Sequence, residues 1–472
     1  MRRFAGAPIG DLALVLHSHM PYVEGFGTYP FGEEWLFDAV ANSYLPVLEV
    51  ARELTITITP VLADQLEAEG VGERMLAFLR EHRIEAAERD AVDVGPELAP
   101  AALAQAARHR RSLEALERLG GDALAAFAAA QREGRVELAA SAATHAVLPL
   151  VATAAGRRLQ IDAGLRSHSR RFGHPAGFWL PECAYRPGLE ALLAERGVRW
   201  FCTDQSAREA PLDALRPVRT AAGPIAFPID WQTVSRVWSW EGYPSDPAAA
   251  DFHRESLRGT RLWSIDGGPY DAEAAAARAR EQAAEFAAAV AAKLAEHRAE
   301  RGRPGLVVFA IDTELLGHWW SEGPAWLAAL LAEAPAHGVR MLTLSAALAE
   351  HEPEDRPLAT SSWGEHKDLS TWDSREVADL AWGARRLELR LLRALAGGLD
   401  GARAERAARE LLAVQASDWA FLDKRGQAGD YPFQRVLGHA EAMLEAVDSA
   451  PSPEPRMRNL APDLSLAPLL EP

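Results

Sequence analysis

Short apolar runs that stop abruptly on a polar or charged residue recur along this chain, with helical stretches between them. Leu12–Leu16 leads into His17-Ser-His-Met-Pro-Tyr22, Gly177–Leu180 into Pro181 and Glu182, and Leu306–Ile311 into Asp312-Thr-Glu-Leu-Leu-Gly-His-Trp-Trp320. Uninterrupted apolar runs of this length read as strands buried on both faces of a parallel sheet. Pro181 has no N–H to give to a ladder, so the strand before Glu182 is predicted to end there. The β-branched run Thr55-Ile-Thr-Ile-Thr59 predicts another strand, and Arg135–Ala139, Val198–Asp204 and Arg261–Trp263 are read in the same way. Helices are expected from Tyr29–Trp35 to about Leu48, through the excursion between Asp64 and Glu137, over Ala155–Phe172, and over Asp271–Arg301. Repetition of strand, polar tip and helix predicts an α/β fold with a barrel-like core. In such barrels catalytic groups stand at the C-terminal strand ends.

Prolines and small polar residues between Glu352 and Ser362 mark a boundary. The expected organisation is a barrel over 1–352, with excursions near 64–135 and 231–262, and a helical domain over 353–472. Helices are expected there at Ser374–Ala396, Ala402–Ala416 and Phe433–Val447. The proline-rich tail from Ser449 is expected to be extended or disordered.

The 472 residues carry a net charge of −17, which argues against nucleic acid or an anionic membrane as partner. Two cysteines, Cys183 and Cys202, cannot build a disulfide framework. No signal peptide or membrane span is read, so a cytoplasmic location is expected. A neutral ligand suits this balance.

Glu182 and Asp312 each follow a strand directly, and His17, His19, His145 and His318 are close to strand ends in sequence. A His-x-His pair can supply metal ligands or hydrogen bonds to a polar substrate, or it can be structural. Glu182 on its own can be a loop or capping acid. Trp231, Trp238, Trp240 and Tyr243 form an aromatic cluster that is either a small loop core or a set of platforms for sugar rings. Two acids beside such platforms are the minimum apparatus of glycoside chemistry, one attacking the anomeric carbon while the other protonates the leaving oxygen. A metal-dependent hydrolase, with His17, His19, His145 and Asp312 as ligands, and a non-catalytic glycan-binding protein are the alternatives.

These motifs resemble glycoside hydrolase family 57, in particular its 1,4-α-glucan branching enzymes. The resemblance runs through His17–Tyr22, Pro30–Trp35, Ala143–His145, Trp179–Tyr185, Asp312–Trp320, Ser362–Glu365 and Gln415–Trp419. It implies an incomplete (β/α)7 barrel with a C-terminal helical domain and a retaining mechanism on α-glucans without metal or cofactor. Glu182 is then expected as nucleophile and Asp312 as general acid/base. His17, His19 and His145 are expected in the donor subsite. His318, Trp263, Trp320, Trp363, Trp372 and Trp419 are expected to bind substrate, and Tyr243 to sit on a loop covering the cleft. The stretch from Tyr243 to Trp263 is shorter than in the enzymes it resembles, and tyrosine stands at 29 where tryptophan is expected. A shortened cover would bias a glucosyl intermediate toward hydrolysis.

Overall fold

The computed structural model describes residues 7–24, 31–448 and 459–470. Tyr29, and the tail from Ser449 up to residue 458, lie outside them. Nine strands form one sheet: β1 (Gly10–Ser18), β2 (Leu54–Ile58), β3 (Val136–Ser141), β4 (Gly177–Trp179), β5 (Trp200–Thr203), β6 (Val218–Arg219), β7 (Ile225–Pro228), β8 (Leu306–Asp312) and β9 (Val339–Met341). Their order is β6-β7-β5-β4-β3-β2-β1-β8, with β9 paired to the N-terminal part of β1. All pairings are parallel except that of β6 with β7. The path from β7 to β8 therefore contains seven parallel strands.

The sheet curls until its two ends meet just past β7. There Asp230 donates its N–H to the carbonyl of Val308 on β8 at 2.8 Å, and its carboxylate binds Lys293 Nζ at 2.5 Å. A single backbone bond between the end strands is a barrel left partly open, as an incomplete (β/α)7 barrel requires.

β1 is buried along its whole length, because helices cover the outside and side chains fill the inside. Register sets the rim. His17 lies opposite Thr57 of β2 and Asp312 of β8. In β2, Ile56 and Ile58 join the outer apolar cluster, which leaves Thr55, Thr57 and Thr59 on the other face. Gln282, Phe286 and Val290 of the helix Ala272–Arg301 are buried as it lies along the barrel. Helices fill most of the excursion between β2 and β3.

Two expectations are corrected. Arg261–Trp263 is a loop making isolated bridges, because Gly259, Gly267, Gly268 and Pro269 turn the chain on both sides of it. Trp231–Val237 is a helix rather than a loop. β6, β7 and β9 were not foreseen; they are too short to show a pattern. The C-terminal segment forms helices Ala378–Ala396, Gly401–Val414, Ser417–Arg425 and Tyr431–Asp448. The first, second and fourth of these share an apolar cluster with Ala143, Leu159 and Ala163 of the barrel. No helix among the described residues is long and apolar enough to cross a membrane.

Gly177 opens β4 with no room for a side chain: an added Cβ would lie 2.0 Å from the buried ring of Trp200. Gly177→Ala is expected to cost about 1–3 kcal/mol of stability through overpacking, measured by denaturant unfolding.

Candidate active site

The barrel rim and the C-terminal segment enclose a cleft of about 600 Å³. Glu182, Asp312, His17, His19 and His145 all line it, together with Trp35, Trp231, Trp238, Trp240, Trp319, Trp363 and Trp372. Half of the chain's 14 tryptophans thus face one cavity. That concentration favours a ligand with flat apolar faces. Trp240 is 98% and Trp238 40% exposed, so these two rings stand out into solvent at the cleft instead of filling a core.

Past β4, Pro181–Cys183 makes one 3-10 turn in which Glu182 and Cys183 have φ of 61° and 49°. His145, just beyond β3, has φ 60°. Left-handed backbone at a residue with a side chain costs roughly 1–3 kcal/mol and persists only where surroundings impose it. Here the C-terminal segment imposes it. Trp363 donates its backbone N–H to the Glu182 carbonyl at 3.0 Å, and Ser417 donates its own to the His145 carbonyl at 3.2 Å.

The same two residues hold the Glu182 side chain. Trp363 Nε1–H donates to Oε2 at 2.8 Å, and the Ser417 hydroxyl donates to Oε1 at 2.7 Å. Burial raises the Glu182 pKa, while these two donors oppose the rise by favouring the anion. Asp312 differs. Among the described residues no donor binds its carboxyl, and burial, then the charges of Glu314 and Glu182, push its pKa well up. Donors favour the anion at one acid and are absent at the other, whose pKa is pushed well up.

The histidines stack. His17 and His145 have ring centroids 4.8 Å apart, His19 and His145 4.0 Å, and Trp179 backs His17 at 4.8 Å. Every ring nitrogen has a protein partner. His17 meets Thr57 Oγ1 at 2.6 Å and His145 Nε2 at 2.9 Å; His145 Nδ1 meets Ser417 Oγ at 2.8 Å. His19 meets Thr59 Oγ1 and Asp418 Oδ1, both at 3.0 Å. Burial lowers His17 and His145 far enough to keep both neutral. It would also lower His19, but adjacent Asp418 prevails and raises it. With all six nitrogens engaged, the histidines have no lone pair free for a metal ion.

Other expected site residues lie elsewhere. Tyr243 begins a 3-10 turn anchored by Asp246, which accepts from Arg278 and Gln282 at 2.8 and 2.9 Å; its ring turns inward toward Trp326. Trp263 lies under the guanidinium of Arg254, 4.2 Å from its ring centroid, and packs with Tyr270 against a small separate cluster. His318 faces Phe252, and burial lowers its pKa to about 4. Trp320 is buried against Trp326. Trp419 is buried and gives its indole N–H to the Ala413 carbonyl at 2.7 Å. These five sit in packing roles outside the cleft. Thr57, Ser417, Asp418 and Tyr44 were not singled out. The alternation of threonines on β2, matching the His17/His19 spacing, was the readable signal for the first.

A rim of two differently held carboxyls facing tryptophans defines a glycoside-processing enzyme. The chain belongs to glycosyl hydrolase family 57, whose family model matches residues 13–359; a second model, "1,4-alpha-glucan branching enzyme, C-terminal", matches 388–462. It is 34% identical to the 1,4-alpha-glucan branching enzyme of Thermococcus kodakarensis over 91% of this chain and 72% of that protein. The crystal structure of the branching enzyme from Pyrococcus horikoshii superimposes with a TM-score of 0.92 at 31% identity, covering 98% of this chain and 97% of that one. The alpha-amylase AmyC from Thermotoga maritima does so at 0.84 and 25% identity, with 93% of each chain covered.

Glu314, two residues after Asp312, is buried and accepts at one oxygen from the His19 N–H at 3.0 Å and from the Tyr44 hydroxyl. Burial raises its pKa to about 7. The folded chain keeps this proton from roughly pH 4.5 to 7, a range in which the unfolded chain has released it, so the group's contribution to stability falls as pH rises. Glu314→Gln keeps the accepting oxygen and removes the titration. Its melting temperature relative to wild type is expected to rise from pH 5 to pH 8, by the equivalent of about 3 kcal/mol, read by thermal unfolding at both values.

Proposed function

We propose that this chain is a 1,4-α-glucan branching enzyme that cleaves an α-1,4 bond, holds the cleaved chain on Glu182, and transfers it to a 6-hydroxyl. The observation that carries the roles is the unequal treatment of the two acids. Glu182 receives a donor at each oxygen, which suits an ionised nucleophile. Asp312 has no such donor and sits near other carboxylates, which suits a proton donor that later acts as base. Tryptophans along the cleft, Trp363 and Trp372 included, offer faces to successive glucosyl units. The three histidines form the floor beneath the bond being broken. With Glu182 as nucleophile, the reaction retains configuration through a covalent intermediate. The organisation into a barrel over 1–352 and a helical domain over 353–472 suits this reading, with the second part supplying Trp363, Trp372 and Ser417. The two buried, unbridged cysteines suit a cytoplasmic location.

Hydrolysis of the same bond is the second reading. Its support is the likeness to an alpha-amylase of the family and the inward turn of Tyr243, which leaves Trp238 and Trp240 as the rings nearest the cleft opening. Incubation with amylose, with α-1,6 linkages counted by proton NMR beside new reducing ends, separates the two. Branch points in excess of reducing ends are expected. Reducing ends without branch points would establish hydrolysis. Asp312→Asn is expected to lower kcat/KM by about 10²–10⁴-fold, and unchanged activity would remove it from the mechanism.

A further inference from the structure

Four side chains link the interior of the barrel to Glu182 in an unbroken series. Thr57 Oγ1 lies 2.6 Å from His17 Nδ1, His17 Nε2 lies 2.9 Å from His145 Nε2, His145 Nδ1 lies 2.8 Å from Ser417 Oγ, and Ser417 Oγ lies 2.7 Å from Glu182 Oε1. Every group except the carboxylate is at most 3% exposed, so water does not compete for these bonds.

Proton counting gives the series one direction. An ionised carboxylate only accepts, so the single hydroxyl proton of Ser417 points to Glu182. Ser417 must then accept from His145, which puts the His145 proton on Nδ1. A neutral imidazole has one N–H, so His145 Nε2 is an acceptor and His17 Nε2 carries the proton between them. His17 Nδ1 in turn accepts from Thr57. With Glu182 ionised and both rings neutral, no other assignment leaves all four bonds made.

We propose that Ser417 is a positioning residue for Glu182, and that Thr57, His17, His145 and Ser417 form a one-way hydrogen-bond chain ending on that carboxylate. This rests on Glu182 being the nucleophile. The chain delivers a donor to Oε1 while Trp363 supplies one to Oε2, so the carboxylate is fixed in rotation with one lone-pair direction of each oxygen taken. It also commits both ring nitrogens of His17 and His145. These residues therefore act on the reaction through Ser417, and meet substrate with ring edges and faces only. Among the described residues the other ionisable groups facing Glu182 are His145, His19, Asp418, Asp312 and the neighbouring Cys183.

The test compares pH profiles of kcat/KM on amylose for wild type, Ser417→Ala, Thr57→Val and Thr57→Ser. Losing one of two donors destabilises the anion. Ser417→Ala is therefore expected to move the acid limb up by about one pH unit and to lower kcat about tenfold, with KM within about twofold. Thr57→Val, which is outside the cleft and keeps the shape of threonine, is expected to move the limb the same way by less, and Thr57→Ser to leave it in place. An acid limb that stays fixed in both Ser417→Ala and Thr57→Val would overturn the chain, as would equal shifts in Thr57→Val and Thr57→Ser. Glu182→Ala supplied with azide and an α-maltosyl fluoride separates this from the reading beneath it. A glycosyl azide product upholds Glu182 as nucleophile whatever the Ser417 result, and its absence removes the nucleophile while leaving the measured limb shifts to stand or fall alone.

Discussion

The site depends on a docking made twice. Trp363 and Ser417 come from a segment far along the chain, and each meets a strand tip of the barrel with two bonds. Their backbone N–H groups hold the left-handed residues Glu182 and His145, and their side chains hold the two oxygens of the Glu182 carboxylate. A turn that is unfavourable by itself is thereby kept in the one shape that aims Glu182 into the cleft. Separated from the C-terminal segment, the barrel rim would lack both donors and the constraint on its backbone. Beneath Ser417, Gln415 continues the attachment: it bonds Gln160 and Glu388 at 3.0 Å, and Glu388 also accepts from the backbone of Ala152 and Thr153.

Burial alone would raise the pKa of both Glu182 and Asp312. What parts them is hydrogen bonding, which one has and the other lacks. The histidines contribute in two ways: burial lowers the pKa of His17 and His145, whose nitrogens are spent on one another and on hydroxyls, while Asp418 opposite His19 raises that of its ring. Glu314, tied to the His19 backbone and to Tyr44, stands beside Asp312, and once it ionises, above about pH 7, its charge reinforces the Asp312 proton. A low-dielectric rim is thus divided into separate protonation states over a few side chains.

Much of the barrel was legible because it is written in local patterns. The runs ending at His17, Glu182 and Asp312 are strands with these residues at or just past their ends, and the long alanine-rich stretch from Asp271 is one helix. The short strands β6, β7 and β9 were not legible, since a few residues show no period, and the Arg261–Trp263 run shows that an apolar pair does not make a strand without a partner. Tryptophans were the poorest guide. Trp320 and Trp419 stand within the same motifs as cleft residues, yet they pack inward, because one position along a turn changes the face to which a ring points. The same geometry turned Tyr243 away from the cleft.

Residue order by itself determined the strand tips, and with them Glu182 and Asp312, because burial in a parallel sheet demands continuous apolar runs and a polar residue can follow only where the strand leaves the core. It also determined the threonine and histidine spacings that meet across β1 and β2. Tertiary structure alone decided which acid receives donors, since those come from Trp363 and Ser417, brought from remote positions by the packing of the C-terminal helices on the barrel. Protonation depends on neighbours in space, and neighbours that distant in sequence exist only once the chain has closed on itself.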